Sequence, residues 1–338
     1  MSSFKRTVYW LLFIVVFVLI GWFGRILYTL PKNSNSVTQT ISLVKPTPLL
    51  KYSIGNLSSS SFKPGKVEIG EEIADEPKHT SYKFIYKFSP DFSDNLKSVS
   101  GLINIPKGEG TFPLIVMFRG YINQETYVTG QGTQPSAKVF SDNGFITIAP
   151  DFLGYGESDT EAENIFESRF QTYVTASSLL TSVSSIEKWD EKNIFIWGHS
   201  NGGQIALTTL EIMGVDYPTV LWAPVSRSFP ASILYYIDEA DDGGRLIIGK
   251  LAEFNEIYDA EEFSLTNYLY KIKAPILINQ GTADTAVPYW WSDSLVKKLD
   301  DLSVDVKYKK YAGADHNMLS SWNEAVNSSI LFFESFLR

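Results

Sequence analysis

The chain has 338 residues, of which 44% are hydrophobic and 14% aromatic; it can therefore bury a large core, and disorder of the whole chain is excluded. Residues 1–50 contain five Lys or Arg and no Asp or Glu, so the remaining residues carry a net charge of −14 and make a poor partner for nucleic acid. The absence of cysteine excludes disulfides, thiolate catalysis and Cys-based zinc sites. The chain has three histidines and no HExxH motif, which argues against a metal hydrolase. We therefore predict no metal or other cofactor.

An apolar segment occupies the N-terminus. The run from Thr7 to Gly24 is uncharged and lies between Arg6 and Arg25. A helix needs about 20 apolar residues to span a bilayer, and the residues after Arg25 can extend this run. We therefore predict a single membrane anchor helix within residues 1–30, with residues 8–30 in the lipid bilayer. The alternatives are a cleaved signal peptide, whose small-residue cleavage site is missing here, and a buried core helix.

The charges around this segment and the composition after it predict how the chain is organised. Lys5, Arg6 and the terminal amine precede the apolar run, which favours a short cytoplasmic tail and an extracytoplasmic body. Residues 31–50 are polar and contain several prolines, as in a flexible tether. Residues 51–79 are predicted as an N-terminal extension. LLKYSI (49–54), at the junction of the tether and this extension, is either a short strand or a packed lead-in. Nothing in the sequence predicts the oligomeric state.

From residue 80 to residue 338 the pattern is that of one α/β domain. SYKFIYKF (81–88) alternates aromatic residues with lysines and predicts a half-buried strand, and VSGLINIP (99–106) predicts its antiparallel partner. Helical patterns then alternate with short continuous apolar runs, which are typical of strands in a parallel sheet covered on both faces. We therefore predict an α/β fold with a mostly parallel central sheet and helices on both faces. The apolar runs are residues 113–118, 145–150, 193–197, 218–222 and 274–280.

One motif in this domain indicates catalysis. WGHSNGG (197–203) lies between a predicted strand and a predicted helix. A Gly-x-Ser-x-Gly sequence in that context is typical of a nucleophile elbow, a sharp turn that exposes the serine. Gly198 and Gly202 provide the small side chains that such a turn requires. We therefore predict that Ser200 is a nucleophile; the alternative is a serine in an ordinary glycine-rich loop.

A serine hydroxyl needs a general base within hydrogen-bond reach. His316, in the loop YAGADHNM after the alternating run VDVKYKKY (304–311), is the predicted base. His199 is part of the elbow, and we expect it to pack away from the path of attack. His79 precedes the first clear strand, and we expect it at the surface.

The base in turn needs an acid that orients it. Asp284 follows the apolar run 274–280 by four residues and is the predicted acid. Asp293, on the next predicted helix, and Asp315, beside the base, are weaker candidates. The chain order Ser200, Asp284, His316 is the order found in α/β-hydrolases.

On these residues the chain resembles the α/β-hydrolase superfamily and, more closely, the catalytic domain of the prolyl oligopeptidase family of serine peptidases. The resemblance covers about residues 80–338 and rests on GHSNGG, PILINQGTADTAVP and YKKYAGADHNM. DFLGYGESD (151–159) also looks like the loop after the fourth strand of that superfamily. The resemblance implies the α/β-hydrolase fold and a Ser-His-Asp triad that cleaves acyl bonds through an acyl-enzyme intermediate.

The resemblance favours a membrane-anchored serine peptidase acting on peptides, and one departure supports an alternative. Peptidases of this family often carry a β-propeller that supplies acidic residues to hold a free amino terminus. The stretch between the tether and the first catalytic strand is too short for a propeller of four or more blades. A carboxylesterase or deacylase acting on small-molecule esters is therefore the second hypothesis. A non-catalytic binding protein on a hydrolase scaffold is the third.

A second departure concerns the oxyanion hole. The segment MFRGY has Arg119 where the family usually has histidine. The predicted oxyanion donors are the backbone N–H groups of Asn201 and Tyr121, and backbone donors tolerate this change of side chain. The guanidinium of Arg119 is expected either to bind a substrate carboxylate or, preferably, to form a structural ion pair with Asp151 or Glu157.

The remaining predictions concern the walls of the substrate pocket. Residues 226–272 are inserted between the sixth and seventh strands of the fold, where this superfamily carries a cap over the site. Tyr155, in the loop 151–159, is a further candidate for the pocket. Trp290 and Trp291 follow the acid loop; each is expected either to line the pocket or to pack in the core.

Overall fold

The computed structural model of the chain describes residues 45–240 and 242–338. The predicted membrane helix and nearly all of the predicted tether lie outside these residues. Within the described ranges, no helix combines the length and the apolar character that crossing a bilayer requires. Residues 46–338 form one compact unit.

Nine strands in the described part of the chain form a single sheet. In chain order they are β1 (Glu68–Asp75), β2 (His79–Phe88), β3 (Lys97–Pro106), β4 (Phe112–Phe118), β5 (Ile146–Pro150), β6 (Trp189–His199), β7 (Thr219–Trp222), β8 (Ile276–Gly281) and β9 (Val306–Tyr311). Their order across the sheet is β1-β2-β3-β5-β4-β6-β7-β8-β9. The pairs β1/β2, β2/β3 and β3/β5 are antiparallel, and the pairs from β5/β4 to β8/β9 are parallel. The carboxyl ends of β4, β6, β7 and β8 therefore meet at one edge, where ligands bind in sheets of this kind.

The parallel strands send alternate side chains into two separate buried cores. In β4, Leu114, Val116 and Phe118 contribute to one core, and Ile115 and Met117 contribute to the other. All five side chains are fully shielded from solvent. A strand that is buried on both faces is apolar at every position, which explains the continuous apolar runs in the sequence.

Helices cover both faces of the sheet, as predicted. In the described part of the chain the helices are α1 (Ile54–Ser58), α2 (Gln134–Asp142), α3 (Ile165–Ser182), α4 (Asn201–Met213), α5 (Ala231–Leu234), α6 (Arg245–Asn255), α7 (Tyr289–Asp301) and α8 (Trp322–Glu334). Helices α2 and α8 pack into the core that contains Ile115, and α3, α4 and α7 pack into the core that contains Leu114. Short 3-10 helices occur at Leu50–Tyr52, Gln124–Thr126, Val183–Ser185, Ile237–Glu239, Ala260–Phe263, Leu265–Asn267, Leu269–Lys271 and Leu319–Ser321.

The segment before the sheet is a packed lead-in and not a strand. A 3-10 helix at Leu50–Tyr52 places Tyr52 in the core beside helix α3, and helix α1 places Leu57 in the core beside helix α4. The Tyr52 hydroxyl donates to Glu167 Oε1 at 2.8 Å. The strand alternative for residues 49–54 is therefore not realised.

Strand β1 lies within residues 51–79, which were predicted to form an extension outside the α/β domain. It pairs with β2 over almost its whole length, so the sheet begins before residue 80. The strand escaped prediction because its sequence, EIGEEIAD, has four acidic residues and nearly all its side chains are exposed. Charged residues on an edge strand prevent unwanted pairing with another sheet, and they also mask the alternation that marks a half-buried strand.

The predicted insertion, residues 226–272, connects β7 to β8 through helices α5 and α6 and several 3-10 helices. Aromatic side chains attach it to helix α3. The rings of Phe254 and Phe166 lie 5.0 Å apart, and Phe263 stacks on Phe170 at 4.8 Å. Aromatic pairs at such distances add about 0.5–1.5 kcal/mol each beyond their buried area. The insertion is therefore a packed part of the domain and not a loose loop.

Candidate active site

Ser200 occupies a strained turn between β6 and α4. Its φ of 57° and ψ of −121° are values that residues other than glycine rarely adopt, and such a conformation costs about 1–3 kcal/mol. The Ser200 N–H donates to the Trp222 carbonyl at 2.9 Å, and the Ser200 carbonyl accepts from the Val225 N–H at 3.0 Å. The end of strand β7 therefore holds this turn in place. The backbone has the geometry of the predicted nucleophile elbow.

The two glycines of the elbow are required by close contacts between backbone segments. A Cβ atom on Gly198 would lie 2.5 Å from the Gly202 carbonyl oxygen. A Cβ on Gly202 would lie 1.9 Å from the carbonyl oxygen of Phe118, at the end of β4. Neither position can accept a side chain unless the backbone moves, so both glycines have the role that the sequence predicted for them.

Asp284 and His316 form a hydrogen-bonded pair at the carboxyl edge of the sheet. Asp284 Oδ2 lies 2.9 Å from His316 Nδ1. The carboxylate is fully buried, and its other oxygen, Oδ1, accepts the N–H groups of Ala286 and Val287 at 3.0 and 2.8 Å. Gln280 Nε2 donates to Oδ2 at 2.9 Å. A carboxylate held by four donors keeps the imidazole in one tautomer, with the proton on Nδ1 and with Nε2 available as a base.

The two weaker acid candidates have other partners. Asp293 forms an ion pair with Lys310 at 2.8 Å, and Asp315 accepts the Leu319 N–H at 2.9 Å. Asp284 is therefore the carboxylate that the fold brings to the imidazole.

His199 supports the loop that carries the predicted base. Its Nε2 lies 3.0 Å from the backbone carbonyl oxygen of His316, and the two rings are 4.7 Å apart. A carbonyl oxygen can only accept, so Nε2 of His199 carries the proton. Burial, followed by the charge of His316, lowers the pKa of His199 to about 4, so this imidazole is neutral at neutral pH. The expected packing role of His199 thus includes a specific contact with the base loop.

The prediction that His79 lies at the surface is wrong. This residue is 1% exposed, and its Nδ1 lies 2.8 Å from Asp142 Oδ1 on helix α2. His79 begins strand β2, and helix α2 covers it; the sequence before β2 is polar and gave no sign of this cover.

The loop after β4 passes directly against the nucleophile. A Cβ on Gly120 would lie 3.0 Å from the Cβ of Ser200. Tyr121 and Asn201 line the same cavity as Ser200. The Tyr121 side chain is 78% exposed, so the backbone N–H is the group that this residue can present to a reacting carbonyl. Asn201 is the first residue of α4, where N–H groups have no partner within the helix.

Arg119 is buried, but the predicted ion pair is wrong. The guanidinium donates to two backbone carbonyls, Gly120 O and Asp151 O, each at 3.0 Å. The Asp151 carboxylate is occupied by hydroxyl donors, and Glu157 is paired with Lys83. The sequence indicated that Arg119 lies near Asp151, but it could not show whether the backbone carbonyl or the carboxylate of Asp151 accepts the hydrogen bond.

The hydrogen bond from Arg119 to the Gly120 carbonyl orients the N–H of Tyr121, a predicted oxyanion donor. Gly120 O and the N–H of Tyr121 belong to the same peptide group, so a charge-assisted bond to the oxygen fixes the direction of the N–H. The guanidinium also lies over the rings of Tyr155 and Tyr127, at 4.0 and 4.6 Å. Arg119 is thus a positioning residue for the loop that follows β4.

Ser200 and His316 line a cavity of about 590 Å³ beneath the insertion. The first part of the insertion contributes Ser232, Ile233, Tyr236 and Ala240 to the lining, and that residues 226–272 form a cap over the site stays a prediction. Within the described ranges, no group of three or more acidic or histidine side chains could hold a metal ion.

The four predicted pocket residues have different locations. Tyr155 and Arg119 line a smaller cavity of about 220 Å³ that adjoins the larger one. Trp291 is 3% exposed and packs against Tyr235 with ring centroids 4.8 Å apart, which matches the core alternative. Trp290 is 52% exposed, so it does not pack in the core. Neither tryptophan is among the described residues that line the two cavities.

The sequence analysis missed Arg169, which lines both cavities. The residue lies on helix α3, whose buried side chains are mostly apolar or small, and its guanidinium donates to Gln204 Oε1 at 2.8 Å. A single basic residue on a largely buried helix is a weak signal that could have drawn attention to it. Its proximity to Ser200 depends on how α3 packs beside α4, which one sequence does not reveal.

The sequence of the chain was compared with known protein families and curated proteins. The model of the prolyl oligopeptidase family matches residues 132–337, which is more than half of the chain. Acetyl esterase Axe7A of Xylanibacter ruminicola is 22% identical over 219 residues, covering 58% of this chain and 48% of that protein. The chain thus spans about half the length of this relative.

Comparison with solved structures shows the fold. The acetyl xylan esterase from Paenibacillus sp. R4 matches with a TM-score of 0.65 at 20% identity, covering 87% of this chain and 98% of that chain. A puromycin-hydrolyzing peptidase of Mycobacterium tuberculosis matches with a TM-score of 0.53 at 16% identity, covering 81% of this chain and 39% of that one. The predicted α/β-hydrolase fold is confirmed.

The depressed pKa of His199 makes stability depend on pH. Between pH 6.5 and pH 4 the unfolded chain binds a proton at this residue that the folded chain does not, so the free energy of unfolding decreases as the pH falls through this window. The substitution His199→Gln keeps an N–H donor but removes the titration. We expect the variant to lose less stability than the wild type over this window, measured by urea unfolding at several pH values. Parallel pH profiles would contradict the assignment.

Proposed function

The chain belongs to the prolyl oligopeptidase family, and from this premise we propose that it is a serine hydrolase that cleaves acyl bonds through an acyl-enzyme intermediate. One observation carries the proposal: a serine on a strained elbow lines the same cavity as a histidine that is bonded to a buried carboxylate. Ser200, His316 and Asp284 are the proposed nucleophile, base and acid. An intact set of all three argues against a non-catalytic binding protein.

The first half of the reaction acylates the serine. Ser200 Oγ attacks the substrate carbonyl carbon while His316 Nε2 takes the hydroxyl proton. Asp284 stabilises the imidazolium that forms, and the tetrahedral oxyanion accepts hydrogen bonds from the N–H groups of Tyr121 and Asn201. When the tetrahedral intermediate collapses, the bond to the leaving group breaks and His316 transfers its proton to that group.

The oxyanion donors supply a large part of the rate. Loss of one such donor typically lowers kcat by about 10²–10³-fold. The donor at Tyr121 depends on the Arg119 bond to the adjoining Gly120 carbonyl, since this bond orients the peptide group. The second half of the reaction repeats these steps with water as the nucleophile, and it releases the carboxylic acid and free Ser200.

Carboxylic esters are the proposed substrates. The acetyl xylan esterase of Paenibacillus is covered almost completely by this chain, whereas the puromycin-hydrolyzing peptidase is covered by little more than a third. Among the described residues that line the cavity of Ser200, none is acidic, so the lining offers no carboxylate to hold the amino terminus of a peptide. Both observations support an esterase over the peptidase that the family resemblance favours.

Peptide hydrolysis is the second candidate function. The match of the prolyl oligopeptidase family model over residues 132–337 favours it. The proposed triad serves either substrate, because ester and amide hydrolysis share the acyl-enzyme route. The difference lies in the leaving group, which is an alcohol in one case and an amine in the other.

Membrane attachment is a separate proposal. The uncharged apolar run from Thr7 to Gly24 and its flanking basic residues support a single anchor helix, with the catalytic domain outside the cytoplasm. The polar residues 31–44 would then separate the domain from the bilayer.

A fluorophosphonate probe tests the proposed nucleophile. We expect covalent labelling of the full chain at Ser200, no labelling of Ser200→Ala and slower labelling of His316→Ala, located by mass spectrometry. A panel of aryl esters and aminoacyl or prolyl amides then separates the two candidate functions, with higher kcat/KM expected for the esters. A folded chain that the probe does not label would contradict the proposal.

Replacement of the acid tests the proposed triad. In Asp284→Asn the side-chain oxygen must stay opposite the two backbone N–H groups that Oδ1 now accepts, so the new amide NH₂ faces His316. Nδ1 of the imidazole then becomes an acceptor and Nε2 keeps the proton, which blocks its action as a base. We expect kcat for an aryl ester to fall by about 10⁴-fold.

A matched control for this variant is Asp293→Asn, which removes a carboxylate that is paired with Lys310 instead of His316. Its kcat should stay near the wild-type value. An Asp284→Asn variant with kcat within about tenfold of the wild type would assign the acid to another residue.

Protease accessibility in intact cells tests the membrane proposal. We expect the full chain to sediment with membranes after an alkaline wash, and added protease to cleave it within residues 31–44. Recovery in the soluble fraction would exclude the anchor, and protection from protease in sealed cells would reverse the orientation.

A further inference from the structure

Arg169 is a cation in the catalytic cavity without an acidic partner. Within the described ranges no carboxylate lies at ion-pair distance from its guanidinium, although the chain has more acidic than basic residues. One of its terminal nitrogens donates to Gln204 Oε1, and its Nε is buried without a hydrogen-bond partner. The residue as a whole is partly buried, so the cost falls on this Nε, and a buried donor without a partner can be satisfied by a ligand in the cavity.

The smaller cavity has a second guanidinium, and this one is buried. Arg119 is 6% exposed, lines the 220 Å³ cavity, and has an Nε that is buried without a hydrogen-bond partner. Tyr121, Arg169 and Asn201 line both this cavity and the larger one. The two spaces therefore adjoin at the predicted oxyanion donors.

The charges around these cavities leave an excess of positive charge. Glu161 is the acidic residue in the described lining of the smaller cavity, and it accepts a hydrogen bond from the Ser168 hydroxyl. Glu211, on the neighbouring helix α4, is fully buried, and burial disfavours its charged form and raises its pKa well above the usual value. The described lining of the two cavities thus has two guanidinium groups and one carboxyl group.

We propose that the two cavities form one substrate cleft in which Arg169 binds an anionic group, so that the preferred substrates are esters carrying a second, ionised carboxylate. This inference rests on the proposed esterase function and adds a class of substrate to it. The planar guanidinium presents several N–H donors to a carboxylate, and the partly desolvated site strengthens the bonds. Because Arg169 adjoins both oxyanion donors, the carboxylate lies a few atoms from the scissile carbonyl, in the acyl part or in the alcohol part.

Two pairs of esters test the proposal on the full chain. Mono-4-nitrophenyl adipate and its methyl ester place the charge or its neutral equivalent in the acyl part. 4-Acetoxybenzoate and its methyl ester place it in the alcohol part. We expect a higher kcat/KM for the anion in at least one pair. Arg169→Gln should reduce that preference by about 10- to 100-fold, mainly through KM for the anion.

Two further variants sharpen the test. Arg169→Lys keeps the charge and loses the planar donors, so it should retain part of the preference; it also serves if the glutamine variant does not fold. Arg227→Gln removes an equal charge from an exposed guanidinium that lies over the Trp291 ring and outside both cavities, and it should leave the preference unchanged. Equal rates for anion and neutral ester in both pairs would overturn the proposal, as would a preference unaffected at Arg169.

A binding measurement separates this proposal from the proposed function. In the Ser200→Ala chain, calorimetry should show tighter binding of 4-acetoxybenzoate or of the adipate monoester than of its methyl ester, and Arg169→Gln should abolish the difference. This result does not depend on catalysis, so a chain that hydrolyses no ester but binds the anion through Arg169 contradicts only the proposed function. Equal binding of anion and neutral ester for both pairs contradicts the anion site.

Discussion

The strained backbone at Ser200 is the constraint on which the rest of the site depends. A turn of one residue connects β6 to α4, and it can form only because Gly198 and Gly202 let backbone segments approach to distances that a Cβ would forbid. Its cost of about 1–3 kcal/mol is offset by the parallel strands on either side, where each large apolar side chain that becomes fully buried contributes about 1.5–3 kcal/mol. The sheet therefore keeps the nucleophile in a conformation that an isolated peptide would leave.

The same sheet explains how residues far apart in sequence reach the serine. Parallel strands end at one edge, so the loops after β4, β6, β8 and β9 all begin at the edge of the sheet that carries Ser200. Hydrogen bonds also connect these loops: His199 contacts the backbone carbonyl of His316, and Asp284 contacts the imidazole of His316. A displacement of one loop is resisted by the other loops, which gives the precise positioning that acid–base chemistry requires.

Sequence predicted the groups whose position follows from a local motif and a strand order. Ser200, Asp284 and His316 each lie within five residues of the carboxyl end of a strand, so the topology brings them to the same edge of the sheet. The failures share a different cause, since they depend on which surfaces pack against each other. The edge strand β1 has an exposed, acidic sequence that carries no burial pattern, and Arg169 reaches the cavity through packing of α3 beside α4.

Helix α3 connects the choice of substrate to the stability of the fold. Phe166 and Phe170 are four residues apart on this helix and therefore share a face, which packs against Phe254 and Phe263 of the cap. Arg169 lies on the same helix, three residues after Phe166, and it lines both cavities. The sheet thus positions the proposed triad, and α3 and the cap position Arg169 and the other side chains that line the cavity around it. Substitutions in the aromatic cluster are expected to alter the cavity without moving Ser200, so the proposed choice of substrate can change while the proposed triad stays in place.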